Sequence, residues 1–356
     1  MEIGIAGLPG SGKTTLFNAL AHQHAHVGGY SGAEPNLAVV KVPDERLDKL
    51  SALFQPVKHT PAEVRFVDVA GVARGMGLES SAAVLAHLRT VDVLLQVIGA
   101  FEDERDALAD FEEFSLELQL ADLGQIEKRV DRLEKELRLG SKGTPAERAA
   151  KERELAVLTR LRPVLEAGNP VRSVPLDAEE QKSISGFGFL TQKPTLVVLS
   201  LADDQDGAAL CARIEAAIQD TPATGVLALP GKLEMELSEL SPEEAAEFMQ
   251  ALGVSQSELG DVTRRAYKLA DLISFFTAGE DECRAWTIKR GTHAQEAAGE
   301  IHSDLARGFI RAEVIRWDKL LEAGSEAAAK KHGWVRQEGK TYLVADGDVL
   351  HVLFNV

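Results

Sequence analysis

Apolar and polar positions change period several times along the chain, and each change marks an element. "EIGIAG" at the start is a short apolar strand; after a glycine-containing stretch, Leu16, Phe17 and Leu20 recur on one face of a helix that begins at Lys13. The polar stretch "HQHAHVGGYSGAEPN" separates that helix from "LAVVKV" and "EVRFVDVAG", which predict a hairpin-like or sheet-extending pair. Three further runs are continuous rather than alternating: "VDVLLQVIGAF" from Val91 to Phe101, "KPTLVVLSLA" from Lys193 to Ala202 and "GVLALPG" from Gly225 to Gly231. Strands covered on both faces look like this, and with helical segments between several of them the pattern predicts a doubly wound α/β sheet.

Between the third and fourth strands the period becomes that of a coiled coil. Leu116, Leu120, Leu123, Ile126, Val130, Leu133 and Leu137 alternate steps of four and three within mixed charge, "GSKGTP" turns the chain, and "AERAAKERELAVLTRLRPVLEAG" returns antiparallel. A bundle helix packed on the core would give the same period. After Leu272 the texture is that of a small α+β module with an Asp-Gly turn at Asp346 and Gly347. The expected division is a nucleotide-binding domain over 1–111 and 190–275, a helical insertion over 112–189 and a separate C-terminal domain over 276–356.

Composition narrows the class. At 356 residues the chain exceeds what one core usually serves, and its hydrophobic content of 45% with 27% charged residues is that of a soluble globular protein. No apolar run is long enough to span a membrane and no signal peptide opens the chain, so a cytoplasmic location without a membrane partner is expected. Cys211 and Cys283 lie outside any disulfide or zinc spacing. A net charge of −17 argues against DNA wrapping, yet residues 276–356 hold 11 basic and 13 acidic residues against 28 and 43 before them. Any RNA contact is therefore expected in the nearly neutral tail, where Lys330, Lys331 and Arg336 accompany Trp334, and Arg284, Lys289 and Arg290 accompany Trp286.

The clearest chemistry lies in "GLPGSGKTT". Gly7, Gly12, Lys13 and Thr14 satisfy GxxxxGK[ST] directly after a strand and at the start of a helix. The N–H groups of Gly10, Ser11, Gly12, Lys13, Thr14 and Thr15 are expected to cradle phosphates, with the Lys13 ammonium on the terminal oxygens and the Thr14 hydroxyl on Mg²⁺. Asp68 ends a later strand and Gly71 follows three residues on, a pairing that suits a second Mg²⁺ contact and a γ-phosphate sensor. Val72 stands where Ras-type GTPases carry the glutamine that orients water, which predicts hydrolysis that is slow or that uses another group. Of His22, His24 and His26, the first and last would face the same way on a helix and could present metal ligands, while a solvated loop fits as well.

Taken in order, the P-loop, "EPNLAVVKVPDERLDKL", "VRFVDVAG", "RTVDVLLQVIGAFED", the arm, "KPTLVVLS", "GKLEMEL" and "FFTAGEDECRAWTIKRGTHAQEAAGEIHSDLARGFIRAEVI" resemble the YchF, or Obg-like ATPase, family of P-loop NTPases from end to end. The resemblance implies a G-type nucleotide domain with an inserted coiled-coil arm and a C-terminal β-grasp-like TGS domain. It also implies Mg²⁺-dependent binding of ATP in preference to GTP, slow hydrolysis and association with ribosomes. Several positions depart from the family's pattern. Gly10, Ser11 and Thr14 vary its loop, Gly32 replaces its switch threonine unless Ser31 takes over, and "VARGMGLESS" shortens its glycine-rich switch. Its base-reading motif aligns with Ser200, Leu201, Ala202 and Asp203, and its later loop with Pro230, Gly231 and Lys232, which predicts weak discrimination between ATP and GTP. Two other readings are carried: a non-hydrolysing nucleotide-binding module, and a small-molecule kinase, for which only Arg74 and Arg89 offer basic lid residues.

Overall fold

The computed structural model describes residues 1–21, 35–69, 78–102, 105–138, 144–252 and 257–355, with backbone alone at 78–83 and 242. Two compact units emerge, one from Met1–Ala38 and Arg65–Val262, the other from Val39–Val64 and Thr263–Val356. The boundary near residue 276 read from the sequence therefore moves to residue 263, and the second unit takes in an early segment that the sequence reading left with the first.

One sheet, most of it in the first unit, has six strands in the order β2-β4-β1-β5-β6-β7. They are β1 (Glu2–Ala6), β2 (Asn36–Lys41), β4 (Glu63–Asp68), β5 (Val93–Gly99), β6 (Thr195–Ser200) and β7 (Thr224–Leu229). β1 runs parallel to β4 and β5, β5 to β6, and β6 to β7. All seven residues of β5 and all six of β6 are buried, which is why their sequences do not alternate. β2 and β4 are sheet neighbours, so the sheet-extending reading holds, but no hairpin joins them. Helix α2 (Glu45–Phe54) and strand β3 (Lys58–Thr60) lie between them in the chain.

Helix α1 (Lys13–Ala21) follows β1, and α3 (Leu78–Thr90) precedes β5. The arm consists of α4 (Ala107–Arg138) and α5 (Pro145–Glu166), the latter opened by a Thr144–Glu147 capping box with Pro145 in its first turn. Gln119 reaches the Gly168 carbonyl, Arg129 pairs with Glu154 and Glu136 with Lys151, so the two helices run antiparallel. Only the outer part of the sequence heptad forms the seam: Ile126, Val130 and Leu133 meet Val157, Leu158, Leu161 and Leu165. Leu116 and Leu120 are 52% and 43% exposed, contrary to the stripe read from spacing. The base of α4 turns Phe114, Leu118 and Ala121 toward the sheet instead, in one cluster with Ala6, Val67 and Leu94. A helix that serves a sheet at one end and a partner helix at the other changes its buried face along its length.

The second unit is a sheet in the order β11-β10-β12-β8-β9-β3, with β8 (Leu272–Thr277), β9 (Glu282–Lys289), β10 (Phe309–Arg316), β11 (Arg336–Glu338) and β12 (Asp348–Phe354). Its core gathers Ile273, Phe275, Ile288, Ala297, Val314 and Leu350. β3 adds to the edge parallel to β9, and Arg46 on α2 pairs with Asp44 and Asp346 while lying 5.2 Å over the Phe276 ring. Asp346 and Gly347 form the expected turn, closed by the Asp348 N–H on the Ala345 carbonyl, and it leads into β12; the Gly347 N–H donates to the Ser274 carbonyl and its own carbonyl accepts from Trp317 N–H. Gly347 has φ +88°, and a β-carbon there would lie 2.6 Å from Trp317 Cδ1. Replacing Gly347 with Ala should cost about 2 kcal/mol or more. All three tryptophans, Trp286, Trp317 and Trp334, belong to this unit, so denaturant unfolding followed by tryptophan emission reads the loss directly.

Candidate functional site

The site grows from the sharp passage of β1 into α1. Gly7, Gly10 and Gly12 have φ of 153°, 73° and 91°, conformations that side chains disfavour. At Gly7 a β-carbon would lie 2.3 Å from the Val97 carbonyl oxygen, so the backbone must be bare where it crosses β5. Pro9 and Gly10 stand exposed at the crest, Ser11 N–H donates back to the Leu8 carbonyl at 3.3 Å, and Leu16 N–H closes the first helical turn onto Gly12 at 2.9 Å. The first N–H groups of a helix have no internal partner and carry partial positive charge, so the passage favours an anion at this end of α1. Ser11 Oγ is buried without a hydrogen-bond partner, a polar atom at the heart of the loop.

Four polar side chains converge on that end. The Thr14 hydroxyl donates to Asp68 Oδ2 at 3.3 Å, and Asn36 Nδ2 donates to the same oxygen at 3.4 Å. Lys13 Nζ folds back to the Leu8 carbonyl at 2.8 Å and is only 7% exposed. Burial lowers the Lys13 pKa to about 8, with Asp68 opposing the shift and Arg105 adding to it. Burial likewise raises the Asp68 pKa, opposed by its bonds to Asn36 and Thr14 and by Lys13. The strand end thus places the carboxylate beside the loop hydroxyl, as the sequence predicts. Both are hard oxygen donors, a chemistry that fits Mg²⁺, and among the described residues no cluster of three His, Cys, Asp or Glu offers another metal site.

Arg105 was not found by sequence reasoning. Its Nη1 donates to the Gly10 carbonyl at 2.8 Å, while Nε and Nη2 hold Asp110 Oδ2 at 3.1 and 2.8 Å. The guanidinium lies over Gly99, where a β-carbon would sit 3.1 Å from Nη1. No motif spacing links position 105 to a loop 95 residues earlier, and only the strand pairing brings them together.

The proposed base-reading residues fall in different places. Ser200 is 5% exposed, and its hydroxyl is wedged between two glycine backbones: a β-carbon would lie 3.0 Å away at Gly12 and 2.7 Å away at Gly231. It braces the phosphate loop against the start of the helix Gly231–Ser238 rather than standing free. The Leu201 side chain belongs to the core with Ile98, Val197 and Ile214, which leaves only its backbone to face a ligand. Asp203 is exposed in a turn, and Lys232 is exposed and pairs along its helix with Glu236 at 3.7 Å. Gly71 and Val72, the histidines His22, His24 and His26, and Ser31 and Gly32 lie outside the described residues.

In the C-terminal unit, Lys330 pairs with Glu313 at 2.8 Å, and Arg336 contacts the Tyr342 hydroxyl at 2.9 Å and Asp348 at 3.9 Å. Lys331 is exposed. Trp286 packs partly into the core beneath Arg284, whose guanidinium lies 4.0 Å from the ring centre, and Trp334 stacks on His332 at 4.7 Å.

Residues 2–128 match the family described as 50S ribosome-binding GTPase, and residues 272–355 match the YchF-GTPase C-terminal family, described as a protein of unknown function. The ribosome-binding ATPase YchF of Bacillus subtilis is 39% identical over 371 residues, covering 100% of both chains. Its counterpart from Escherichia coli O157:H7 is 37% identical over 100% of this chain and 99% of its own. The solved structure of the Schizosaccharomyces pombe YchF GTPase superposes with a TM-score of 0.85 at 30% identity, covering 99% of this chain and 97% of that one.

A pH dependence follows from the buried lysine. Below pH 8 Lys13 is protonated with or without phosphate, whereas above it the free chain loses the proton that an adjacent polyanion restores. Nucleotide binding at pH 9 should therefore take up a proton at Lys13, and affinity should fall toward tenfold per pH unit from this group. Calorimetry at pH 7 and 9 in buffers of different ionisation enthalpy measures the uptake; equal proton balance at the two pH values would contradict it.

Proposed function

This chain belongs to the YchF family, and from that premise we propose that it binds a nucleoside triphosphate with Mg²⁺, hydrolyses it slowly and uses the bound state to regulate contact with the ribosome. The observation that carries the reading is the meeting of Lys13, Thr14 and Asp68 at the open end of α1, on a loop whose glycines expose backbone N–H groups. The loop N–H groups and the Lys13 ammonium hold the phosphates, and the Thr14 hydroxyl and Asp68 carboxylate are the oxygens that would hold the metal. Magnesium, when bound, offsets phosphate charge. Arg105 fixes the Gly10 carbonyl so that the crest keeps its shape. Gly71 is assigned the γ-phosphate contact. Val72 supplies no polar group to orient water, in keeping with slow turnover.

Base selection is the weak element of this site. With Ser200 occupied as a brace and Leu201 in the core, Asp203 is the one side chain of that motif free to read a base edge, and Lys232 supports the base only by giving up Glu236. Dissociation constants for ATP and GTP, titrated side by side with Mg²⁺, should lie within about tenfold of each other, since one missing buried partner is worth about 1–3 kcal/mol. A hundredfold preference would mean that other groups read the base. Lys13→Ala should abolish measurable turnover; rates indistinguishable from the unaltered chain would reduce it to a non-hydrolysing nucleotide-binding module.

Ribosomal RNA contact is assigned to Lys330, Lys331 and Arg336 in the C-terminal unit. Lys331 is free to engage phosphate directly, while Lys330 and Arg336 must first leave Glu313 and Asp348. Charge reversal at Lys331 should lower ribosome co-sedimentation several-fold and flatten its salt dependence; unchanged binding would move the contact elsewhere.

A further inference from the structure

At the base of the arm a cavity of about 270 Å³ opens between α4, the segment that follows α5, the start of β6 and residues 217–221. Arg172 lines it. Nε of this side chain donates to Thr224 Oγ1 and Nη1 to the Thr191 carbonyl, both at 3.0 Å, so its hydrogen-bond partners are neutral oxygens. No carboxylate among the described residues approaches within ion-pair distance, and Glu112, the single acid on the cavity wall, is exposed and does not reach it. Two other well-covered guanidinium groups behave otherwise: Arg89 holds Asp122, and Arg105 holds Asp110. A guanidinium withdrawn from water costs free energy unless a counter-charge meets it. Burial alone lowers the Arg172 pKa to about 10, with no opposing charge.

We propose that this cavity binds a small organic anion, its oxyanion held by Arg172 and its apolar body by Phe111, Leu116, Pro170 and Ile218. The remaining wall suits such a ligand, since Ser115, Gln119 and Thr221 add neutral polar groups around an apolar floor. The pocket is distinct from the phosphate loop. Thr195 and Thr224 begin β6 and β7, whereas Ser200, which touches the loop, ends β6, a separation of about 17 Å along a six-residue strand. Occupancy would tie the segment that returns from the arm to the edge strand of the sheet.

Phenyl phosphate and benzoate are the probes, and thermal unfolding of the full chain is the readout, with Arg172→Met compared against the unaltered protein. The variant leaves the phosphate loop intact, so any stabilisation by phenyl phosphate at Lys13 appears in both proteins and cancels. At tenfold over the dissociation constant, the anion should raise the unaltered protein's melting temperature by about 3 °C more than the variant's. A gain with both probes marks a general oxyanion site, and a gain with phenyl phosphate alone marks a phosphate site. Should Arg172→Met fail to fold, titration of either probe into the unaltered protein must move the Arg172 Nε–Hε resonance. Equal shifts in both proteins, or an unmoved resonance, would overturn the proposal and leave Arg172 a fastener between Thr191 and Thr224.

Discussion

The active end of this protein depends on one close approach, that of the Gly7 backbone to the carbonyl oxygen of Val97. A β-carbon at Gly7 would sit 2.3 Å from that oxygen. Because β5 is buried along its whole length, the strand cannot retreat to make room. The chain must leave β1 bare, and once it has done so the direction of the loop and of α1 is set. Everything that holds an anion follows from that direction: the free N–H groups, the lysine folded under the crest, and the strand-end carboxylate beside the threonine.

The side chains around the loop divide into two kinds of work. Ser200 and Arg105 hold backbone in place, one by filling the gap between Gly12 and Gly231, the other by linking the Gly10 carbonyl to Asp110. Lys13 and Asp68 carry charge under cover, each pushed by burial toward its neutral form and drawn back by the other. A polyphosphate beside Lys13 and a divalent cation beside Asp68 would relieve both tensions together.

Much of this was legible in the sequence because it is local. The phosphate loop, the continuous buried strands and the outer seam of the arm are each written within a dozen or so consecutive residues. What was missed is what long-range pairing decides. Leu116 and Leu120 keep the heptad spacing yet face water, because the base of α4 answers to the sheet rather than to α5. Ser200 aligns with a base-reading position, yet its hydroxyl lies against Gly12 and Gly231, neighbours that only the fold brings together. Arg105 carries no motif at all. The Asp346–Gly347 turn is where the sequence puts it, but its close approach to Trp317 is a contact that no local pattern encodes.

The second unit draws on both ends of the chain. β3, at residues 58–60, pairs with β9, at residues 282–289, and Arg46 reaches Asp346. During synthesis the early segment therefore emerges long before its partners exist. At about 5–20 residues per second, β3 waits on the order of ten seconds or more for β9 to leave the ribosome. Through that interval an edge strand with open N–H and C=O groups is a natural client for a chaperone, and a chain truncated after Val262 would carry it unpaired for its whole lifetime.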